Sequence, residues 1–149
     1  MPEKQTLERA REDEREGKSP STQAGEFVRE EMEHIREGEH GARSAKQAIA
    51  IGLSKARRAG VRLPPPEKGT TSKKTRRQAK RDLKRSRTRK KPSRTRSRAA
   101  KRRLKKEPRS AASHRALSRQ AHAAARKRTK ADRSRAAKKA AATRKKKKH

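Results

Sequence analysis

The sequence predicts a mostly disordered, all-α protein: one short helical hairpin followed by a low-complexity basic tail with helix propensity. Charge is the first reason. Residues 67–149 carry 37 Lys and Arg against four acids, whereas residues 1–66 hold 13 basic and 12 acidic side chains. The second reason is that Leu, Ile, Val and Phe number only 12 of 149 residues, far under the roughly 20% below which highly charged chains tend not to fold. The third is position: nine of the fourteen large apolar residues lie between Phe27 and Leu63. A polycation without apolar surface has nothing to offset chain entropy, so a core belongs in that short stretch.

The boundaries follow as an N-terminal arm at 1–22, a hairpin at 23–63 and a tail at 64–149. Within the arm, residues 3–17 read as an exposed helix laced with charge, Leu7 and Ala10 being its only apolar positions. Such a helix is marginal by itself and frays. The Gly, Ser and Pro of residues 17–25 read as a break. From Gln23 to Glu37, Phe27, Val28, Met32 and Ile35 recur at helical spacing, with Glu26, Arg29, Glu30, Glu33 and Glu37 opposite. Gly38 and Gly41 close this segment.

The next helix is the most clearly punctuated. Ser44 and Gln47 fit a capping box, Ala45, Ala48, Ile49, Gly52, Leu53 and Ala56 make a narrow apolar stripe, and Gly60 with Val61 fits a left-handed C-terminal cap. Pro64, Pro65 and Pro66 stop any extension. The hairpin core is therefore placed on Phe27, Met32, Ile35, Ile49 and Leu53. A unit this small buries little, which points to a homodimer through the hairpin.

Beyond Pro66, Ser and Thr interleave with Arg and Lys to about residue 98, and Ala, Arg and Lys dominate thereafter, with Pro92 and Pro108 as breaks. These residue types favour helix, but mutual repulsion is expected to keep them unfolded until phosphate neutralises them.

Several functions are excluded by composition. There is no cysteine, hence no disulfide and no thiolate metal site. No apolar run suits a signal peptide or a membrane span, so a cytoplasmic, nucleoid location and no membrane partner are expected. His34 and Glu37 stand one turn apart without a third ligand at suitable spacing, and the histidines read as solvated surface residues, with no metal. No phosphate loop, activated nucleophile or paired carboxylate in a cleft appears, so the chain reads as no enzyme, with no cofactor and no small-molecule substrate. Phe27 is the single aromatic residue, which removes the stacking platform of single-strand readers. An imitation of a helix-turn-helix, with Lys46, Lys55, Arg57 and Arg58 facing phosphate, is weakened by the long loop.

The remaining candidate is a polyanion. Of the chain's net charge of +34, the tail holds +33 (37 basic against four acidic residues), which matches roughly 55 Å of duplex DNA at about one phosphate per 1.7 Å. The candidate nucleic-acid-binding residues are, up to Pro92, Lys73, Lys74, Arg76, Arg77, Lys80, Arg81, Lys84, Arg85, Arg87, Arg89, Lys90 and Lys91. Between Pro92 and Pro108 they are Arg94, Arg96, Arg98, Lys101, Arg102, Arg103, Lys105 and Lys106. The last group is Arg126, Lys127, Arg128, Lys130, Lys138, Lys139, Arg144, Lys145, Lys146, Lys147 and Lys148.

The segment GEFVREEMEHIREGEHGARSAKQAIAIGLSKARRAG, residues 25–60, resembles a family of small basic bacterial proteins marked by a KQAIAIGLSKARRAG-type helix. That resemblance implies no activity. The stretch RAAKKAAATRKKKKH, residues 135–149, is similar in composition to the tails of linker histones and bacterial histone-like proteins, which implies nonspecific DNA binding and compaction. With 19 Arg to 18 Lys the tail departs from a lysine-dominated one, and the guanidinium fork suits RNA as well. The expected function is thus a histone-like, nonspecific DNA-binding protein that coats or bridges DNA. The alternatives are an RNA- or ribosome-associated cationic protein and an interaction protein whose hairpin binds a specific partner.

Overall fold

The computed structural model describes residues 1–88, 91 and 93–146. Among the described residues seven α-helices follow one another: α1 (Lys4–Arg15), α2 (Pro20–Glu37), α3 (Ala45–Ala59), α4 (Lys73–Thr88), α5 (Arg94–Lys105), α6 (His114–Arg126) and α7 (Lys130–Lys146). A 3-10 turn at Arg109–Ala112 joins α5 to α6. Three quarters of the described residues are helical, and no strand occurs among them. The expectation of a mostly disordered chain is therefore wrong: the protein is a folded, all-helical one.

Alanine is the reason. Of the thirteen apolar residues buried in the described chain, nine are alanines. A methyl group buries little area, but it lets helix backbones approach closely, and no count of large side chains registers it. One core cluster joins Met32, Ile35, Ala42, Ala48, Ala111 and Ala112, with Val28, Ile49 and Leu117 packed against it. The other joins Ala10, Ala24, Phe27, Ala56 and Val61, with Leu7, Leu53 and Leu63 at its margin. Phe27, Met32 and Ile35 are buried as expected, whereas Ile49 and Leu53 are only partly so.

The hairpin of α2 and α3 forms the centre. Ser19 caps α2, accepting from the Thr22 amide, with Pro20 in the first turn, so the apparent break at residues 17–25 is a helix start. Gly38 (φ 88°) and Gly60 (φ 110°) end the two helices in the left-handed conformation. Ser44 accepts from the Gln47 amide at 3.2 Å, and the Gln47 side chain reaches back one residue further than a capping box requires, to the Arg43 amide at 2.9 Å. At Gly52 a Cβ would lie 2.7 Å from Val28 Cα and 3.0 Å from the Phe27 carbonyl, so the crossing of α2 and α3 depends on its absence.

The hairpin is clothed by the chain on either side of it. The N-terminal arm is not free: α1 packs along α2, burying Thr6, Ala10 and Asp13. Lys18 ties its end, its ammonium bonded to Asp13 at 2.8 Å and close to Glu16 at 2.7 Å. On the other side α4 lies against α3 through Ala79 and Asp82. Asp82 is 1% exposed and accepts from Ser54 at 2.6 Å and from Gln78 at 3.1 Å.

The connection from α5 to α6 docks on the loop between α2 and α3. The Gly41 amide donates to the Leu104 carbonyl at 2.9 Å and the Ala42 amide to that of Pro108 at 3.1 Å. Arg36 adds a bond from Nε to the Ala112 carbonyl at 3.0 Å. A Cβ at Gly41 would overlap the Glu107 carbonyl, so only glycine admits this approach. Pro108 acts here as part of a docked turn.

Candidate nucleic-acid interface

The cationic helices form because their sequences supply caps as well as propensity. Ser72 caps α4, accepting from the Thr75 amide at 3.1 Å. Ser113 caps α6, accepting from the Ala116 amide at 3.2 Å. Thr129 and Asp132 form a reciprocal box at the start of α7: the Asp132 amide donates to Thr129 Oγ1 at 3.1 Å, and the Thr129 amide to Asp132 Oδ2 at 3.3 Å. Hydrogen bonding from the Thr129 hydroxyl, and then from Arg135, holds the Asp132 carboxyl below its ordinary range.

These helices carry the expected binding residues to the surface. Lys73, Lys74, Arg77, Lys80, Arg81, Lys84, Arg85 and Arg87 stand exposed on α4, while Arg76 is half-buried, its Nε enclosed without a hydrogen-bond partner. Helix α5 exposes Arg94, Arg96, Arg98, Lys101, Arg102, Arg103 and Lys105, with Lys106 at its cap and Lys91 ahead of it. Arg126 ends α6, Lys127 and Arg128 occupy the turn, and α7 exposes Lys130, Lys138, Lys139, Arg144, Lys145 and Lys146. Arg89, Lys90, Lys147 and Lys148 lie outside the described residues, as do Pro92 and His149.

The acids are placed so that they do not neutralise this surface. Asp82 is turned inward against Ser54, Asp132 is engaged with Thr129 and Arg135, and Glu107 is half-buried beside the Gly41 contact. Glu67 is the exposed acid of the region. No residue of α7 is buried, and its cations point in every direction around the helix axis.

A pocket of about 500 Å³ opens where the N-termini of α3 and α6 meet, lined by Arg43, Lys46, Arg115 and Arg119 and by the two capping serines, Ser44 and Ser113. No acid lines it. Helix N-termini offer unpaired amides and positive potential, the recognised setting for a phosphate group. Arg43, Arg115 and Arg119 were not singled out by the sequence, because nothing along the chain indicates that residues some seventy positions apart share a pocket.

The hairpin cations behave differently from a row facing phosphate. Lys55 turns inward to Glu31 at 2.6 Å. Arg57 is buried and donates to the Leu63 and Pro64 carbonyls at 3.2 and 3.3 Å. Burial lowers its proton affinity and Asp82 opposes that effect. Arg58 binds the Ser54 carbonyl. Arg58 stays exposed but is folded back on its own helix, and Lys46 is exposed on the pocket rim.

A second constellation lies inside the hairpin. Glu30 does not share the solvated face expected of it, being 3% exposed, and its neighbour Glu31 is 0% exposed. His34 is also buried, contrary to a solvated reading, and lies with Glu31 and His40 so that one ligand atom from each falls within 4.8 Å of the others. Glu37, the neighbour that sequence spacing offered to His34, is exposed and outside this group; Glu31, three residues before His34, and His40 beyond the Gly38 turn stand there instead.

Residues 17–68 are similar to a family of unknown function, DUF6496. The matched span holds α2, α3 and the whole of the Glu31, His34, His40 and Lys55 cluster, but none of α4 to α7. No curated protein and no solved structure matches the chain.

Proposed function

We propose that this chain is a histone-like, nonspecific DNA-binding protein acting at the nucleoid, which coats duplex DNA by phosphate neutralisation through α4 to α7. The observation that carries the reading is the disposal of acids: Asp82 and Asp132 are occupied by their own neighbours while the surrounding lysines and arginines stand exposed. A surface so biased attracts any dense polyanion and releases its counterions on contact. The pocket between α3 and α6 supplies a fixed anchor for one phosphate.

Duplex DNA is favoured over duplex RNA by shape. Helix α7 has 17 residues, about 26 Å at 1.5 Å per residue, and a helix about 10 Å across enters the major groove of B-DNA, about 12 Å wide. There, cations on all sides meet phosphates on both walls. The A-form major groove is too narrow for this.

The test is a titration of the full chain on DNA and RNA duplexes of equal length across a salt series. Ten paired phosphates give a log-log slope of about −9 on DNA, with tighter binding to DNA at each salt concentration. A slope near −3 would remove the cationic helices as the binding element, and tighter binding to RNA would favour the RNA-associated reading instead.

A further inference from the structure

Helix α2 places Glu30, Glu31 and His34 on its inner side, the left-handed turn at Gly38 brings His40 back over them, and α3 contributes Lys55. From just ahead of α1, Glu3 reaches His34 Nε2 at 3.2 Å, and Glu39 stands 3.8 Å from His34 Nδ1. Four carboxylates thus surround one lysine and two imidazoles. In a chain of net charge +34 this is a local reversal of sign; Glu3 and Glu39 stand exposed at its edge, but Glu30 and Glu31 are buried, where charge imbalance is most costly.

The internal partners leave it incomplete. Lys55 Nζ lies 2.6 Å from Glu31 Oε2 and 3.7 Å from Glu30 Oε1. Yet both Glu31 oxygens and Glu30 Oε1 are buried without a hydrogen bond of acceptable geometry. Glu31 Oε1 faces His40 Nε2 at 3.2 Å. His40 Nδ1 stands 3.0 Å from the Gly41 carbonyl, and in the tautomer that donates there Nε2 turns a lone pair to the carboxylate. A cation between them would satisfy both.

The spacing indicates what. Two donors about 2.0 to 2.1 Å from a tetrahedral zinc ion are about 3.4 Å apart, close to the 3.2 Å between Glu31 Oε1 and His40 Nε2. Both histidines also have the outer partner that metal-ligating imidazoles use: the Gly41 carbonyl for His40 and the Glu3 carboxylate for His34. With Nε2 bonded to Glu3, His34 offers Nδ1. We propose that Glu31, His34 and His40 bind a divalent transition metal of the zinc class, the fourth position being left to water or Glu39, while Lys55 balances the second oxygen of Glu31. Two imidazoles and one carboxylate suit zinc, nickel or copper and not magnesium or calcium. The metal would pin α2 to the loop that follows it, with α3 joined through the Lys55 pair to Glu31, and it goes beyond the DNA-binding reading.

The test is calorimetric titration of the full chain, stripped by chelator and without nucleic acid, with zinc and with magnesium. A single zinc site per chain is expected, accompanied by a rise in Tm, with no response to magnesium. Changing an outer partner of a ligating histidine costs about 10–100-fold in affinity, so Glu3→Gln should weaken zinc binding about tenfold and His40→Ala by more. His40 lies in a loop, which makes that variant safer to fold than Glu31→Gln. The triple variant His114→Ala, His122→Ala, His149→Ala should bind as the wild type does. The proposal is overturned if no single site is found, if His40→Ala binds equally well, or if the triple variant loses the site. A Tm that answers only to pH would assign the space between Glu31 and His40 to a proton.

Discussion

Replacing Gly41 by alanine probes the junction that turns a hairpin with a tail into one folded chain. The added methyl overlaps the Glu107 carbonyl, backbone that moves only if the turn after α5 leaves the loop. Departure breaks the Gly41 to Leu104 and Ala42 to Pro108 bonds and the Arg36 bond to Ala112, each contributing about 1 kcal/mol. It also wets Ala111 and Ala112, now 4% and 0% exposed, at about 0.8 kcal/mol per methyl. The gross loss is then about 4–5 kcal/mol, from which regained chain entropy returns a part, leaving about 3 kcal/mol. At about 1.4 kcal/mol per factor of ten, amide protection at Ala42 falls about a hundredfold. Hydrogen exchange followed by NMR reads this directly, with the α3 amides as an internal control. The reasoning is refuted if Ala42 is as well protected in Gly41→Ala as in the wild type, or if the wild-type amide exchanges like an open loop.

Other perturbations address separate elements. Gly52→Ala sets a methyl 2.7 Å from Val28 Cα, and overpacking of about 1–3 kcal/mol exceeds the gain of about 1 kcal/mol in helix propensity, so urea denaturation should show a net loss; a more stable variant would mean that the helices part easily. Leu53→Asp brings a carboxylate to the margin of the Phe27 cluster and should cost about 3 kcal/mol, while DNA affinity measured by fluorescence anisotropy stays nearly unchanged because the cations on α4 to α7 remain. Since the Asp132 carboxyl is held below its ordinary range by Thr129 and Arg135, its contribution to the start of α7 is present above the unfolded aspartate value of about 3.9 and is lost only as pH falls through the lower folded value. Helix signals of α7 in an acid titration should therefore persist below pH 4 in the wild type and weaken at neutral pH in Asp132→Ala.

What the sequence made legible was whatever leaves a local mark. Ser44 and Gly60 bound α3 as their chemistry requires, Phe27, Met32 and Ile35 lie in the core, and the lysines and arginines of α4, α5 and α7 are displayed. What stayed hidden depends on contacts far apart in sequence and small in side chain. Nothing about Ala111 and Ala112 distinguishes them from the exposed alanines of α7, yet they sit against Met32 and Ile35. The docking of residues 104–108 on residues 41–42 is made by main-chain groups, which no side-chain periodicity records. Glu30 looked like part of a solvated face because α1, which packs along α2, has only Leu7 and Ala10 as apolar residues. The pocket between α3 and α6 appears only once that docking has brought Ser44 and Ser113 together.

A core in which alanine is the commonest buried residue has a thermodynamic signature of its own. Its helices are held close, but unfolding exposes little hydrocarbon for each residue released. The heat-capacity change and the urea m-value both scale with that exposed area, and both are therefore small for a chain of this length. A small heat-capacity change flattens the dependence of stability on temperature, moves cold denaturation further away and makes both thermal and chemical melting gradual. Such a protein loses its fold over a wide span of conditions, and any ligand that binds the folded chain alone shifts where within that span it stands.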